Sequence, residues 1–311
     1  MQRRTSRWVV GLVTGLLAVL VLPSFAVAAG PARVADGQPD NDRQLSVLTP
    51  EQKTFMDRKL AMAAAVGAAA TRVSGTAGSK TTRQVAPMYA CESDPCEGTP
   101  PPPPPPPPPS GPPTSKTLAT RARQQINYYY CGPASGQVVI NWTRGIINGY
   151  DNGEDPATNW RRQSKIAEWM GTTTAGTGGA TLANGLNNPN AVVKPAADWI
   201  YAYEDIGTTQ DLYNKIVTDV ASFGMPLILA TAPHLSGAGV NFLESWPKVA
   251  AGAHHWIVLR GYDGAWGNPS TISIKYQDSS AGYGGSTGAF DDPLSVIWQV
   301  SKWNQGGHVV W

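Results

Sequence analysis

The spacing of apolar positions changes from one segment of the chain to the next, and each spacing predicts an element. Trp8 to Val21 is a nearly unbroken apolar run behind Arg3, Arg4 and Arg7, and the small residues of Phe25-Ala-Val-Ala-Ala-Gly30 follow it. The run is short for a membrane span and the layout is that of a signal peptide. Thr49-Pro50-Glu51-Gln52 reads as an N-cap, a first-turn proline and a capping-box glutamine. It predicts an Ala-rich helix to about Ala70, with Phe55, Leu60 and Met62 as apolar points. From Pro133, residues Ala134, Val138, Val139, Trp142 and Ile146 keep roughly helical spacing, and Gln163 to Met170 predicts a second helix of this region. Thr208 caps a third, with Leu212, Ile216 and Val220 on one face, and Gly224 stops it before Pro226. The Thr- and Gly-rich stretch Gly171 to Gly179 reads as a loop. Leu227 to Ala230, Trp256 to Leu259 and Thr271 to Tyr276 read as strands, the last alternating through Ile272, Ile274 and Tyr276. Helices come early and strands late, so the expected fold class is α+β.

Composition divides the 311 residues into four segments. Residues 1–29 are the expected signal peptide. Residues 30–99 form a polar, Ala-rich leader or pro-segment, in which Cys91 and Cys96 are close enough for a small disulfide loop in an oxidising compartment. Residues 100–115 are a proline-rich linker whose unbroken run, Pro100 to Pro109, should form a polyproline II rod of roughly 30 Å. Residues 116–311 alone have the composition of a full globular domain. Two cysteines are too few for a zinc site. The glycine-rich Gly75-Thr-Ala-Gly-Ser-Lys-Thr fails as a phosphate loop, because Ser79 separates glycine from lysine. A formal net charge of +2 gives no electrostatic case for nucleic acid. The expectation is a protein secreted by the general route, extracellular or cell-wall-associated, with no stable membrane insertion and with the proline rod as a spacer that has no specific partner.

The candidate chemistry centres on Cys131. It lies in Gln125-Ile-Asn-Tyr-Tyr-Tyr-Cys131-Gly-Pro-Ala-Ser, where a helix pattern begins. The backbone dipole at a helix start favours an anion, and an exported cysteine left over after pairing is an intermolecular link or a reactive thiol. A buried structural thiol is the ordinary alternative. A nucleophilic thiol needs a base, a group that orients the base, and donors for the oxyanion. His254 and His255 immediately precede the apolar strand Trp256 to Leu259. Successive residues on a strand face opposite ways, so one of the two can face the thiol, and spacing alone does not choose. If the next strand pairs antiparallel with this one, its end lies beside the start of the first. That puts His255 next to Asp278 and leaves Asp263 at the far end of the pair. Gln125, six positions before Cys131, could donate to an oxyanion together with the Cys131 N–H; Gln124 is its neighbour. His234 and His308 read as exposed or structural. Tyr128, Tyr129 and Tyr130 read as an aromatic wall beside the helix.

The blocks Gln125…Cys131-Gly-Pro-Ala-Ser, His255-Trp-Ile-Val-Leu-Arg-Gly-Tyr-Asp and Tyr276-Gln-Asp278-Ser resemble the bacteriocin-processing (double-glycine leader) peptidases of the papain superfamily. Ala167-Glu-Trp-Met-Gly-Thr, Gly176-Thr177 and Gly224-Met-Pro-Leu-Ile-Leu share the resemblance, which covers most of Leu118 to Trp311. It implies a papain-like fold, with a helix carrying the nucleophile packed on an antiparallel sheet carrying His and Asp. It implies catalytic Cys131, His255 and Asp278, an oxyanion-hole Gln125, peptide or protein substrates, and no metal or cofactor. It also favours His255 over His254, since the family's histidine precedes the strand by this spacing. Transporter-linked members carry membrane spans and an ATPase module that this chain lacks, so their cleavage after paired glycines is not transferred. Secreted stand-alone members are the closer comparison. Acyl transfer on the same groups, and a non-catalytic peptide- or cell-wall-binding module, are the two alternative readings. The segment from Ala232 to Gly252 reads as a long loop before the histidine strand, a candidate for shaping the substrate groove.

Overall fold

The computed structural model describes residues 48–76 (side chains to 69), 112–146, 162–232, 243–246, 254–281, 285–302 and 307–311. The expected signal peptide, Cys91 and Cys96, the phosphate-loop look-alike beyond Thr76, the Pro100–Pro109 run and His234 lie outside these residues. Two compact units divide the chain, Met1–Ala35 and Asp36–Trp311, and everything described belongs to the second.

Helix α1 (Pro50–Thr76) opens with the reciprocal cap that its sequence encodes. The Thr49 N–H donates to Gln52 Oε1 at 2.9 Å and the Gln52 N–H donates to Thr49 Oγ1 at 3.3 Å. Strand β1 (Ser115–Thr117) follows, and then helix α2 (Cys131–Thr143), whose residues from Cys131 to Asn141 are all buried. A helix buried on every side cannot show an amphipathic stripe, which is why Gly132, Ser135, Gly136 and Gln137 sit among its apolar residues. Pro133 is tolerated in its first turn, where its missing N–H costs no intrahelical bond. Helices α3 (Gln163–Trp169) and α4 (Gly179–Leu186) pack beside α2. Strand β2 (Tyr203–Asp205) leads to α5 (Thr209–Val217), which starts on a Thr208 side-chain cap to the Asp211 N–H at 3.0 Å. The helix then widens into a π-helical turn over Thr218–Phe223 and ends at Gly224, whose φ of 66° suits glycine.

Strands β3 (Leu227–Thr231), β4 (His255–Asp263), β5 (Ser273–Ser279) and β6 (Thr287–Pro293) are followed by α6 (Leu294–Lys302) and β7 (His308–Val310). All pairings are antiparallel, in the order β2-β7-β3-β4-β5-β6, with β1 continuing along β4 beyond the end of β3. The fold is α+β. Strands β3 and β4 are buried almost throughout, so they read as continuous apolar runs. The structure extends the expected Trp256–Leu259 strand to Asp263 and moves the next from Thr271–Tyr276 to Ser273–Ser279.

Candidate active site

Cys131 is the first residue of α2 and is 8 % exposed. Its position is fixed from three sides. The segment before it lies along β5, where Gln277 donates to the Thr120 carbonyl at 2.8 Å and accepts from the Ala122 N–H at 2.9 Å. The Gln125 N–H continues this contact to the Ser279 carbonyl at 2.9 Å. Buried Gln163 holds the next stretch, accepting from the Ile126 N–H at 3.0 Å and donating to the Gln124 carbonyl at 2.9 Å. On the helix itself, Ser135 Oγ donates to the Trp256 carbonyl on β4 at 3.0 Å. The third side is the 171–178 loop. Gly132 faces Thr177 so closely that a Cβ would lie 2.5 Å from Thr177 Oγ1, and the Thr177 carbonyl accepts from Trp256 Nε1 at 3.0 Å.

His255 starts β4 and is buried, while His254 just before the strand is exposed. Its Nε2 lies 2.8 Å from Asp278 Oδ1. The two are diagonal rather than directly opposite. Val258 pairs with Gln277, so one step further puts Ile257 across from Asp278, with His255 two residues on and on the same face. Asp263 pairs with Ser273 at the other end. Burial works against a charge on His255. The Asp278 carboxylate, by charge and hydrogen bond, and then the Cys131 sulfur beside the ring outweigh burial and push the imidazole up from 6.5 to about 10. With Nε2 engaged by Asp278, Nδ1 is the ring nitrogen left for the thiol.

Asp278 is the most heavily held group of the site. Oδ1 also accepts from the Ser280 N–H at 3.0 Å, and Oδ2 accepts from Ser245 Oγ and from Trp246 Nε1, both at 2.8 Å. Burial would raise its carboxyl, but the charge and hydrogen bond of His255 and the bonds from Ser245 and Ser280 hold it below the ordinary value. The Trp246 ring lies 5.0 Å from the His255 ring, centroid to centroid. Residues 243–246 are themselves fastened: the Glu244 N–H donates to Asp292 Oδ2 at 2.9 Å, and Tyr276 Oη bonds both Ser245 Oγ, at 3.2 Å, and Asp292 Oδ2, at 2.8 Å. Ser245 and Trp246 were not singled out from the sequence. They lie in the long stretch before β4, and the only hint was that this stretch had no other employment.

Gln125 is buried beside the loop into α2, and Gln124 is exposed, donating to the Ala281 carbonyl at 3.2 Å. The geometry gives the Gln125 amide a different partner from an oxyanion. Its Nε2 donates to the carbonyls of Asn127 at 2.9 Å and Tyr128 at 3.1 Å, so both amide hydrogens are occupied by the turn that leads to Cys131. Tyr128, Tyr129 and Tyr130 stack edge to face along that turn, with Tyr128 54 % exposed. His308 lies on β7, with Nδ1 2.6 Å from Asp205 Oδ1, outside this constellation.

The sequence from 117 to 289 matches the Peptidase_C39 like family, and that span holds Cys131, His255, Asp278 and the Ser245-Trp246 pair. The chain belongs to the Peptidase_C39 like family. This member of the family is a cysteine-type peptidase. No curated protein matches the chain. Solved structures similar to this family member include digestive procathepsin L 3 of Tenebrio molitor larval midgut, at 10 % identity, 65 % of this chain, 70 % of that one and a TM-score of 0.34. The bromelain protease from Ananas comosus in complex with the E64 inhibitor is another, at 12 % identity, 63 % of this chain, 97 % of that one and a TM-score of 0.31. Among the described residues of this family member, no helix is long and apolar enough to cross a membrane.

Proposed function

We propose that this peptidase hydrolyses peptide bonds through Cys131, His255 and Asp278. The observation that carries the reading is the buried His255–Asp278 pair at 2.8 Å, with Cys131 at the helix start contributing to the charge of the same imidazole. Cys131 Sγ attacks the substrate carbonyl carbon and its proton resides on His255. The carbonyl oxygen becomes an oxyanion held by the Cys131 N–H, one of the first-turn donors that has no intrahelical acceptor. The Gln125 amide joins it by exchanging one of its loop carbonyls for the substrate oxygen. Collapse of the tetrahedral intermediate breaks the C–N bond as His255 gives its proton to the leaving amine. Water, deprotonated by His255, then cleaves the thioester and restores the thiol.

Asp278 orients the ring and supports the imidazolium, and Ser245 and Trp246 orient Asp278 in turn. Both act through Asp278, so both are positioning residues. Trp246 also covers the pair and keeps water from competing for it. The expected setting is extracellular, after removal of residues 1–29, with the proline run as a spacer to cell-wall material.

The test is cleavage of a peptide library by the full chain and by Cys131→Ala. Wild type cleaves, Cys131→Ala does not, and iodoacetamide labels Cys131 at neutral pH. A Cys131→Ala chain with full activity would overturn the mechanism. Products joined to an added amine in preference to water would show acyl transfer on the same groups.

A further inference from the structure

The segment before the proline run need not stay with the domain that follows it, since 35 residues (77–111) of chain outside the described set separate them. Helix α1 nevertheless presents one buried face to the catalytic body. Phe55, Met56, Lys59 and Ala63 fall on adjacent turns and are all buried. The Phe55 ring meets Trp199 at 5.4 Å and Phe223 at 5.9 Å. At Gly67 the helix comes so near α5 that a Cβ would lie 2.6 Å from the Asn214 amide.

The centre of this contact is a charge. Lys59 is fully buried, and its Nζ lies 3.1 Å from Asp219 Oδ1 on the π-helical turn, itself fully buried. The same Nζ sits 4.1 Å from the Trp199 ring centroid and 4.4 Å from that of Trp311. A carboxylate and two indole faces thus form a seat for one ammonium. The seat is built wholly by the body and the ammonium is supplied wholly by α1. Without α1, Asp219 and the faces of Trp199, Phe223 and Trp311 would lose their cover.

We propose that this face of the body is the permanent seat of α1, so that a cut within residues 77–111 yields a two-chain enzyme and not a released leader. The occupant is a named piece of the same chain, recognised by its lysine and its Phe55. The proposal does not rest on the catalytic reading, because association is measured without substrate.

The experiment introduces a site-specific protease sequence between Ala77 and Thr99 of the full chain, cuts it, and follows the two pieces by size-exclusion chromatography with mass spectrometry. The pieces are expected to co-elute in native buffer and to part in denaturant. Separation in native buffer overturns the proposal. Lys59→Ala, which strands Asp219, should weaken the association more than about a hundredfold, and Gly67→Leu, a wedge against Asn214, should weaken it too. Both changes lie on α1 and leave the body's sequence intact. If neither variant loosens the cut protein, the lysine seat is not what holds it.

Discussion

At the residue scale the decisive object is one carboxylate with four donors. Asp278 takes hydrogen bonds from His255, Ser280, Ser245 and Trp246, so it can neither rotate nor pick up a proton without breaking several. Trp246→Phe keeps the ring over His255 but removes one N–H to a buried charge, a loss of about 1.5–3 kcal/mol. We expect kcat/KM to fall at least about tenfold, through kcat, with KM little changed; an equal loss in KM alone would place Trp246 in substrate binding. Asp278→Asn removes the support that outweighs burial, so the His255 pKa should fall from about 10 to below its ordinary 6.5, as followed by NMR titration of the imidazole. Activity should drop by about 10²-fold or more. The sign for stability follows from the same shift. Between 6.5 and about 10 the fold keeps a proton on His255 that the unfolded chain has lost, so stability falls as pH rises through this window. His255→Gln should lack that decline in a Tm series over the same pH range.

At the element scale, α2 is wedged where only a small residue fits. A methyl group at Gly132 meets three Thr177 side-chain atoms within 3.0 Å. Gly132→Ala should cost about 1–3 kcal/mol of stability, measured as a lower Tm, and Thr177→Gly in the same chain should recover much of it. Elements with a local signature were legible in the sequence: the capping box at Thr49, the Thr208 cap, the Gly224 stop and the apolar runs of β3 and β4. The His255–Asp278 pairing was legible in part: hairpin order puts the start of β4 beside the end of β5, but strand alternation left His254 and His255 open, and the offset that makes the pair diagonal shows only in the structure. Strand β6, Thr287-Gly-Ala-Phe-Asp-Asp-Pro293, was not legible. It sits at the sheet's edge, where one pairing partner suffices and Gly, Asp and Pro are tolerated. Ser245 and Trp246 lie 33 and 32 positions from Asp278, in a stretch with no periodic pattern of its own, so nothing local announces them. The π-helical turn after α5 was hidden for a different reason, since its apolar residues fit an ordinary helix equally well.

At the scale of the whole molecule, the buried Lys59–Asp219 pair specifies where α1 sits more than it stabilises the fold. Burial pulls Lys59 down to about 8, against the pull of Asp219, and pushes Asp219 up to about 6, against the pull of Lys59. As pH rises from 3.8 through about 6, Asp219 loses a proton that the fold had retained, and this contribution to stability falls. As pH drops from 10.5 through about 8, Lys59 gains its charge at a similar cost. The pair therefore contributes least between these two windows. A Lys59→Met, Asp219→Leu double variant should be as stable as wild type or up to about 4 kcal/mol more stable at neutral pH, whereas Lys59→Ala alone should lose about 3–5 kcal/mol. Denaturant midpoints for the three proteins check both statements.

The seat of Lys59 also imposes an order in time. Helix α1 is among the first described parts of the chain to be made, and Trp311, one wall of its seat, is the last. The other walls, Trp199 and Asp219, come between them. An early helix cannot meet Trp199, Asp219 and Trp311 together until those later segments have been made, and Phe55 and Met56 wait for their partners until Trp199 and Phe223 follow. The complete seat therefore exists only once Trp199, Asp219 and Trp311 have all been made.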